Sequence, residues 1–564
     1  MHFCRKPVCF AVGSKTSEFA SRVAGAVVAS LAACGGAAVA SDDWVYSVKP
    51  GDTLLGVAQD YLARPDDWMR LQRLNHVEDP RHLMPGTRIR VPVALLRHDA
   101  AVAEVIDVRG AVVEERPGAA SHELKLGDRL AGGATVRTGA DAIVSIRFVD
   151  GSRLLVTPNS ALSLSKLVTL GKSGMAQTVM ELEHGSVENK VAHQQLPAAQ
   201  YELHSRALNL AVRGTEFRAR VDDSGGVSGI GEVLEGVVHA QGVQGTPVDV
   251  GAGYGTTASP GGAPGKPQRL PEPPDLSGNA QRVEAVPLRF SWPAAPSVRG
   301  YHAQVFSDRS FEHLLLDGVF PLQGAVAGAK WADLPDGHYV LRVRAVLANG
   351  LEGLNADQDF VLKARPEPPA VIGPLDGAKS YGTDASLRWS RSLNAQTYRV
   401  QVSDQPDFAR LLVDAKALPD TELKTPLVPG PYYWRVASIV GDDDQGPFGD
   451  AQAFTQRAVP ESPQLDAPAI DDKQMVFKWK ASAPGSHYQV QLARGTDFKD
   501  LCEDQSVASN EVRLDRPASG TYYLRIKTVD ADGFEGPFGA SQRVDVPAPK
   551  PWWLLLIPLL ALIR

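Results

Sequence analysis

Val212-Arg213-Gly214-Thr215-Glu216-Phe217 sits inside a long β-patterned block and decides how that block is read. Before it, Leu208, Leu210 and Val212 alternate with Asn209, Ala211 and Arg213. After it, Phe217, Ala219 and Val221 alternate with Arg218 and Arg220, on positions of opposite parity. Side chains on a strand repeat every two residues, so the apolar set changes face across Gly214. Such a change needs one extra residue, and glycine is the residue that tolerates the resulting bulge or kink. The stretch predicts a bent strand pair rather than one strand. Arg213 and Glu216, flanking the bend, suit either a local ion pair or a solvated face.

Outward from the hexamer, residues 100–250 show no helical period, and short strands alternate with glycine turns. The clearest hairpin is 142–156, where Val144, Ile146 and Phe148 alternate with Ile143, Ser145 and Arg147. Asp150-Gly151 there is a pair favoured in a type I′ turn. Further strands are expected at 102–108, 112–115, 162–167, 179–182, 201–204 and 233–239, making an all-β domain. The ordered series L-G-D-R-L (126–130), V-R-T-G (136–139), V-D-G-S-R-L (149–154), L-E-H-G-S-V (182–187), V-R-G-T-E-F (212–217) and V-L-E-G-V-V (233–238) resembles the FecR domain. Members that regulate iron transport relay a signal to a cytoplasmic sigma factor through an inner-membrane helix. Here about 20 residues precede the N-terminal apolar run, too few for a sigma-binding domain with its own core.

Residues 44–93 read as strand, helix, helix, strand. Val45-Tyr46-Ser47-Val48 leads into the turn Lys49-Pro50-Gly51-Asp52, and Asp52 or Thr53 can cap a helix carrying Leu54, Val57, Ala58, Tyr61 and Leu62. Pro65 opens a second helix with Trp68, Leu71 and Leu74 on one face, and Asn75 closes it. The block resembles the lysin motif (LysM) over its whole length, from V-Y-S-V-K-P-G-D-T-L to M-P-G-T-R-I-R-V-P. That resemblance implies binding of N-acetylglucosamine-containing glycan, usually peptidoglycan. It places the sugar between Gly51, Asp52, Thr53 and Leu54 on one side and Leu83, Met84 and Pro85 on the other. Pro50-Gly51-Asp52-Thr53 is equally a turn with a helix cap, and Leu54 equally a core residue.

At 564 residues the chain is too long for one core. Its net charge of -7 and lack of a basic stripe argue against nucleic acid as a partner. Of 4 cysteines, Cys4, Cys9 and Cys34 fall near the start and Cys502 stands alone, so no disulfide framework is expected. Arg5, Lys6, Lys15 and Arg22 precede a small apolar run ending Ala38-Val39-Ala40, the layout of a secretory signal over residues 1–40. Leu31-Ala32-Ala33-Cys34 resembles a bacterial lipobox and offers Cys34 as a lipidated alternative. Either way the chain is expected in the periplasm or cell envelope.

Residues 251–280 are rich in Gly and Pro and read as a flexible linker. An internal repeat follows. Trp292, Trp389 and Trp479 are each followed nine residues on by Tyr301, Tyr398 and Tyr488, and nineteen on by Phe311, Phe408 and Phe498. Arg342, Arg435 and Arg525 recur later in each unit. The units (281–364, 368–456, 463–546) resemble fibronectin type III domains, which implies β-sandwiches with the tryptophan between sheets. The tail 552–563 is apolar but, as a helix, reaches only about 18 Å, short of a span; it suits dipping into one leaflet or docking on a partner.

No motif of an enzyme is present: no H-E-x-x-H, C-x-x-C, G-x-S-x-G or phosphate loop. Glu181 and Glu183 fall on the opposite strand face from His184, which fits a solvated face better than a metal site. No catalytic residue, metal or cofactor is expected. The expected fold is multi-domain and mainly β: a small βααβ LysM domain, an all-β FecR-like domain and three β-sandwich repeats. The expected function is a non-enzymatic exported envelope protein that binds peptidoglycan and presents its other domains to an envelope protein for interaction or sensing. The alternatives are a FecR-type signalling regulator or, further off, a cell-wall hydrolase accessory.

Overall fold

The computed structural model describes residues 43–193, 196, 198–221, 229–322, 324 and 326–548. The signal and lipobox readings and the apolar tail fall outside the described residues. Among the described residues no helix is long and apolar enough to cross a membrane.

The N-terminal unit pairs strand Asp43–Ser47 antiparallel with strand Arg88–Pro92 and lays two helices, Leu54–Tyr61 and Trp68–Asn75, against them. Thr53 is the cap of the first helix, its Oγ1 accepting from the Gly56 amide at 3.0 Å. Pro65 begins a single 3₁₀ turn, Pro65–Asp67, and the α-helix proper starts at Trp68. Asn75 ties the end of that helix to the second strand: its Nδ2 donates to the Leu71 and Arg90 carbonyls and its Oδ1 accepts from the Arg90 amide.

The next unit is two sheets around one core, joined by the long strand Ala176–Lys190. Its first part pairs with Ala161–Leu170 in one sheet, and from Gly185 onward it pairs with Glu216–Val221 in the other. The hexamer marks a second crossing. Strand Leu208–Val212 belongs to the first sheet and strand Glu216–Val221 to the second, with Gly214 between them at φ +81°. Leu208, Leu210, Val212, Phe217, Ala219 and Val221 all end in the same core. The parity change expected at Gly214 is therefore a change of sheet, which keeps the apolar side inward on both arms.

The returning chain crosses in step: Gly229–Glu235 lies in the second sheet, Val237–Gly242 in the first, and Gly236 between them. A Cβ on Gly236 would sit 2.6 Å from Thr215 Cγ2, and one on Gly214 would sit 2.6 Å from His193 Nδ1. Two glycines in register thus let both legs of one hairpin bend together.

The turn of the 147–153 hairpin differs from expectation. The Gly151 amide donates to the Phe148 carbonyl, which puts Val149 and Asp150 at the centre of the turn. Gly151 alone takes positive φ, so this is a turn followed by a glycine bulge, not type I′. Asp150 prefers this form because its carboxylate accepts from the Ser152 amide and hydroxyl at 3.0 and 2.9 Å.

The expected spacer at 251–280 is also different. Tyr254–Ala258 adds a strand to the second sheet beside Gly229–Val233, Gln268–Arg269 pairs with Tyr254–Gly255, and Leu270 and Leu276 are buried. A free sheet edge and alternating inward side chains outweigh the local Gly and Pro content.

Three two-sheet sandwiches follow. Each holds its tryptophan edge-on to its tyrosine, at 5.4 Å (Trp292–Tyr301), 5.6 Å (Trp389–Tyr398) and 5.2 Å (Trp479–Tyr488). In each the tyrosine hydroxyl accepts from a backbone amide, of Ala295, Ser392 and Ser482 respectively. The repeated phenylalanines, at φ +54 to +57°, instead carry the repeated arginines on their faces, at 3.6 Å (Arg342), 4.1 Å (Arg435) and 4.1 Å (Arg525).

Candidate functional site

Two places combine accessible or charged groups with a defined frame. The first is the rim of the N-terminal unit. Val48 exchanges backbone hydrogen bonds with Gly86 and Thr87, and the Leu54 amide donates to the Pro80 carbonyl at 2.9 Å. These bonds hold the 49–53 loop beside the 80–86 loop. Gly51, Met84 and Pro85 are exposed, with Met84 at 78%, whereas Leu54 is fully buried and Leu83 nearly so.

Asp52 is engaged from beneath, accepting from Tyr46 Oη at 2.5 Å and the Lys49 amide at 2.6 Å. Burial, then Asp52, pushes the Tyr46 phenol well above its ordinary range, so it stays a donor. The seven residues singled out by sequence thus divide by role. Gly51, Met84 and Pro85 form an exposed rim; Asp52 and Thr53 set the shape of one loop; Leu54 and Leu83 anchor the loops to the core.

The opposite side of this unit is closed. Tyr61, Leu62, Leu95 and Leu96 share a core with Leu170, Met175 and Ala198 of the two-sheet unit, and Lys172 pairs with Asp60 at 2.7 Å.

The second place was not visible in the sequence: a buried ion network where the two-sheet unit meets the first sandwich. Arg344 donates to Glu188 at 2.7 Å, to Gln304 at 2.8 Å, and to Glu352. Glu352 also accepts from Arg220 at 2.9 Å and faces His302 Nδ1 at 3.1 Å, while His302 Nε2 meets Asp317 at 2.8 Å. Arg218 pairs with Glu232 at 2.8 Å and donates to the Glu352 and Gly353 carbonyls.

Burial alone would raise the Glu188 pKa, but Arg344 and Arg218 outweigh it and hold it at about 2. Burial and Arg344 work against a charged His302, yet Glu352 and Asp317 prevail and raise its pKa to about 9. The network sets four basic side chains, Arg218, Arg220, His302 and Arg344, against four carboxylates, Glu188, Glu232, Asp317 and Glu352, so that each buried charge faces an opposite one.

Apolar contacts flank this network: Ile143 and Leu155 meet Phe306, Leu314 and Val340, and Ile230 meets Leu351. A cavity of about 50 Å³ lies in the seam, lined in part by Glu216, Phe217, Arg218 and Arg342, far below the size of a small-molecule pocket. The signal that sequence reading passed over was the pair of arginines at alternate strand positions, Arg218 and Arg220 in one unit and Arg342 and Arg344 in the other. Charges repeated on one strand face look solvated until a partner covers them. Among the described residues no cluster of His, Cys, Asp and Glu side chains is placed to hold a metal.

Known proteins match these units separately. The LysM domain model matches residues 46–92 and the FecR protein model residues 134–239. An uncharacterized protein of Deinococcus radiodurans is 34% identical over 50 residues, 9% of this chain; the chain spans 20% of that relative's length. Among solved structures, the FN1–FN3 domains of chicken CNTN1 are similar at 15% identity and TM-score 0.24, over 50% of this chain and 97% of that one. A presumed anti-sigma factor from Parabacteroides distasonis is similar at 10% identity and TM-score 0.20, over 25% and 68%. The chain thus carries a LysM domain at residues 46–92 and a FecR domain at residues 134–239, followed by three two-sheet β-sandwich repeats.

Proposed function

We propose that this chain is a non-enzymatic, exported cell-envelope protein. Its LysM domain binds peptidoglycan, and its FecR domain and sandwich repeats are held out from the wall for protein interaction or sensing. The observation that carries this reading is the LysM rim. Its two loops are fixed to one another by backbone hydrogen bonds, and Gly51, Met84 and Pro85 stand exposed along them. N-acetylglucosamine offers a ring face and an acetamido group, and a rim of this kind meets both with apolar surface and backbone groups. Asp52, Thr53, Leu54 and Leu83 act by holding the loops in place. Export through residues 1–40, lipidation at Cys34 and membrane contact through 552–563 belong to the same reading.

The test is co-sedimentation with insoluble peptidoglycan. A Met84→Asp/Pro85→Ala chain changes two exposed residues, keeps the fold, and is expected to bind at least about tenfold more weakly than wild type. Equal binding by both would remove the rim as the site. A second reading, a FecR-type signalling regulator, is favoured by the FecR match at 134–239. It requires a stable cytoplasmic N-terminus, which cleavage after Ala40 would exclude.

A further inference from the structure

The three sandwiches share more than their cores. In the first, Gln304 lies opposite Arg342 on one neighbouring strand and Asp317 on the other. In the second the same register holds Gln401, Arg435 and Asp414, and in the third Gln491, Arg525 and Asp504. One leucine recurs at the end of this face: Leu314, Leu411 and Leu501, paired with Phe306, Ser403 and Ala493. Leu314 is fully buried under the FecR domain, while Leu411 is 38% and Leu501 39% exposed.

The third repeat also keeps the ion pair at the centre of the docked face. Lys527 stands opposite Gln489 as Arg344 stands opposite His302, and Lys527 pairs with Glu535 as Arg344 pairs with Glu352. Glu535 and Glu352 each bridge back to the same strand position, Val529 and Val346. In the second repeat the matching strand position is Ala437, opposite Arg399.

We propose that the outer sheet face of the third repeat is a docking surface for the FecR domain of a second copy of this chain. The receiving face is the one built from Glu188, Arg218 and Arg220. Lys527, with Arg525 and Gln491, takes the Glu188 carboxylate as Arg344 and Gln304 do, and Glu535 takes Arg220 as Glu352 does.

The third repeat does not reach its own FecR domain, because the joints between repeats are fixed. Tyr381 stacks on Phe534 at 3.8 Å and donates to Asp530 at 2.5 Å, and Lys363 pairs with Asp444 at 2.6 Å. The tethered first repeat competes for the same face with an effective concentration in about the millimolar range. Exchange between chains therefore appears when the internal contact is weakened.

The experiment is sedimentation velocity of the full chain at tens of micromolar, with circular dichroism to check the fold. Arg344→Glu and, separately, Gln304→Glu place a carboxylate against Glu188 and free the FecR face. Each is expected to raise the average mass from that of the 60.4 kDa chain to roughly twice it. Adding Lys527→Glu is expected to restore the monomer. Should Arg344→Glu lose its fold, the milder Gln304→Glu decides. Monomers in the folded single variants, or dimers that persist with Lys527→Glu, would overturn the proposal.

Discussion

The first and third sandwiches carry matching residues at several positions of one sheet face and live in different surroundings. In the first, Gln304, Arg342, Arg344 and Glu352 are buried against the FecR domain; in the third, Glu535 and Asp504 remain exposed and Leu501 faces solvent. The pattern of side chains on a strand face does not determine whether it is an interior. Whatever covers it does, and the energetic weight of each residue changes accordingly.

The largest expected difference comes from the matching cations. Arg344→Ala leaves Glu188 and Glu352 buried without their main partner and is expected to cost about 3–5 kcal/mol in urea denaturation of the full chain. Lys527→Ala is expected to cost less than about 1 kcal/mol, because the freed Glu535 returns to water. Equal costs would mean that the covering of the first repeat contributes nothing to the value of its ion pairs.

The matching leucines sharpen the same contrast without charge. Leu314→Ala removes a side chain wedged among Ile143, Leu155, Phe306 and Val340 and is expected to cost about 2–5 kcal/mol. Leu501→Ala, on an exposed edge strand, is expected within about 0.5 kcal/mol of wild type by the same measurement. A large effect at Leu501 would show that the third repeat's face is already covered in the isolated chain.

These contrasts explain what sequence reading could and could not reach. The LysM order, the sheet change at Gly214 and the Trp-Tyr period were legible because each is imposed by local geometry: a helix cap, a parity count, a residue that must fill a core. The rim residues were legible as a pair of loops, but the burial of Leu54 separates frame from surface only in three dimensions. The FecR–sandwich seam was not legible, because Arg342 and Arg525 sit in the same repeat register and only one is covered. The ordered path of 254–258 escaped for a related reason. A Gly- and Pro-rich stretch reads as a spacer unless the free edge of strand Gly229–Glu235 is known to await it.

The last contrast is in the pH dependence, and it belongs to the first repeat alone, since Gln489 stands where the first repeat has His302. His302 is raised from 6.5 to about 9. A folded value above the unfolded one means stability that is fully present below about pH 6.5 and lost as pH rises through 9. Glu188 is lowered from 4.5 to about 2, so its contribution is present above pH 4.5 and lost as pH falls through 2. The seam is therefore expected to be firmest between these limits and to lose on the order of 2 kcal/mol toward pH 9, read as a falling urea midpoint of the FecR–first-repeat transition. His302→Gln copies the third repeat's residue and should flatten that alkaline limb, while an acid limb remains because Arg344 still holds Glu188 and Glu352 below the ordinary carboxylate range. An alkaline limb that survives His302→Gln would assign the loss to another group of the seam and break the link between this histidine and the docked state.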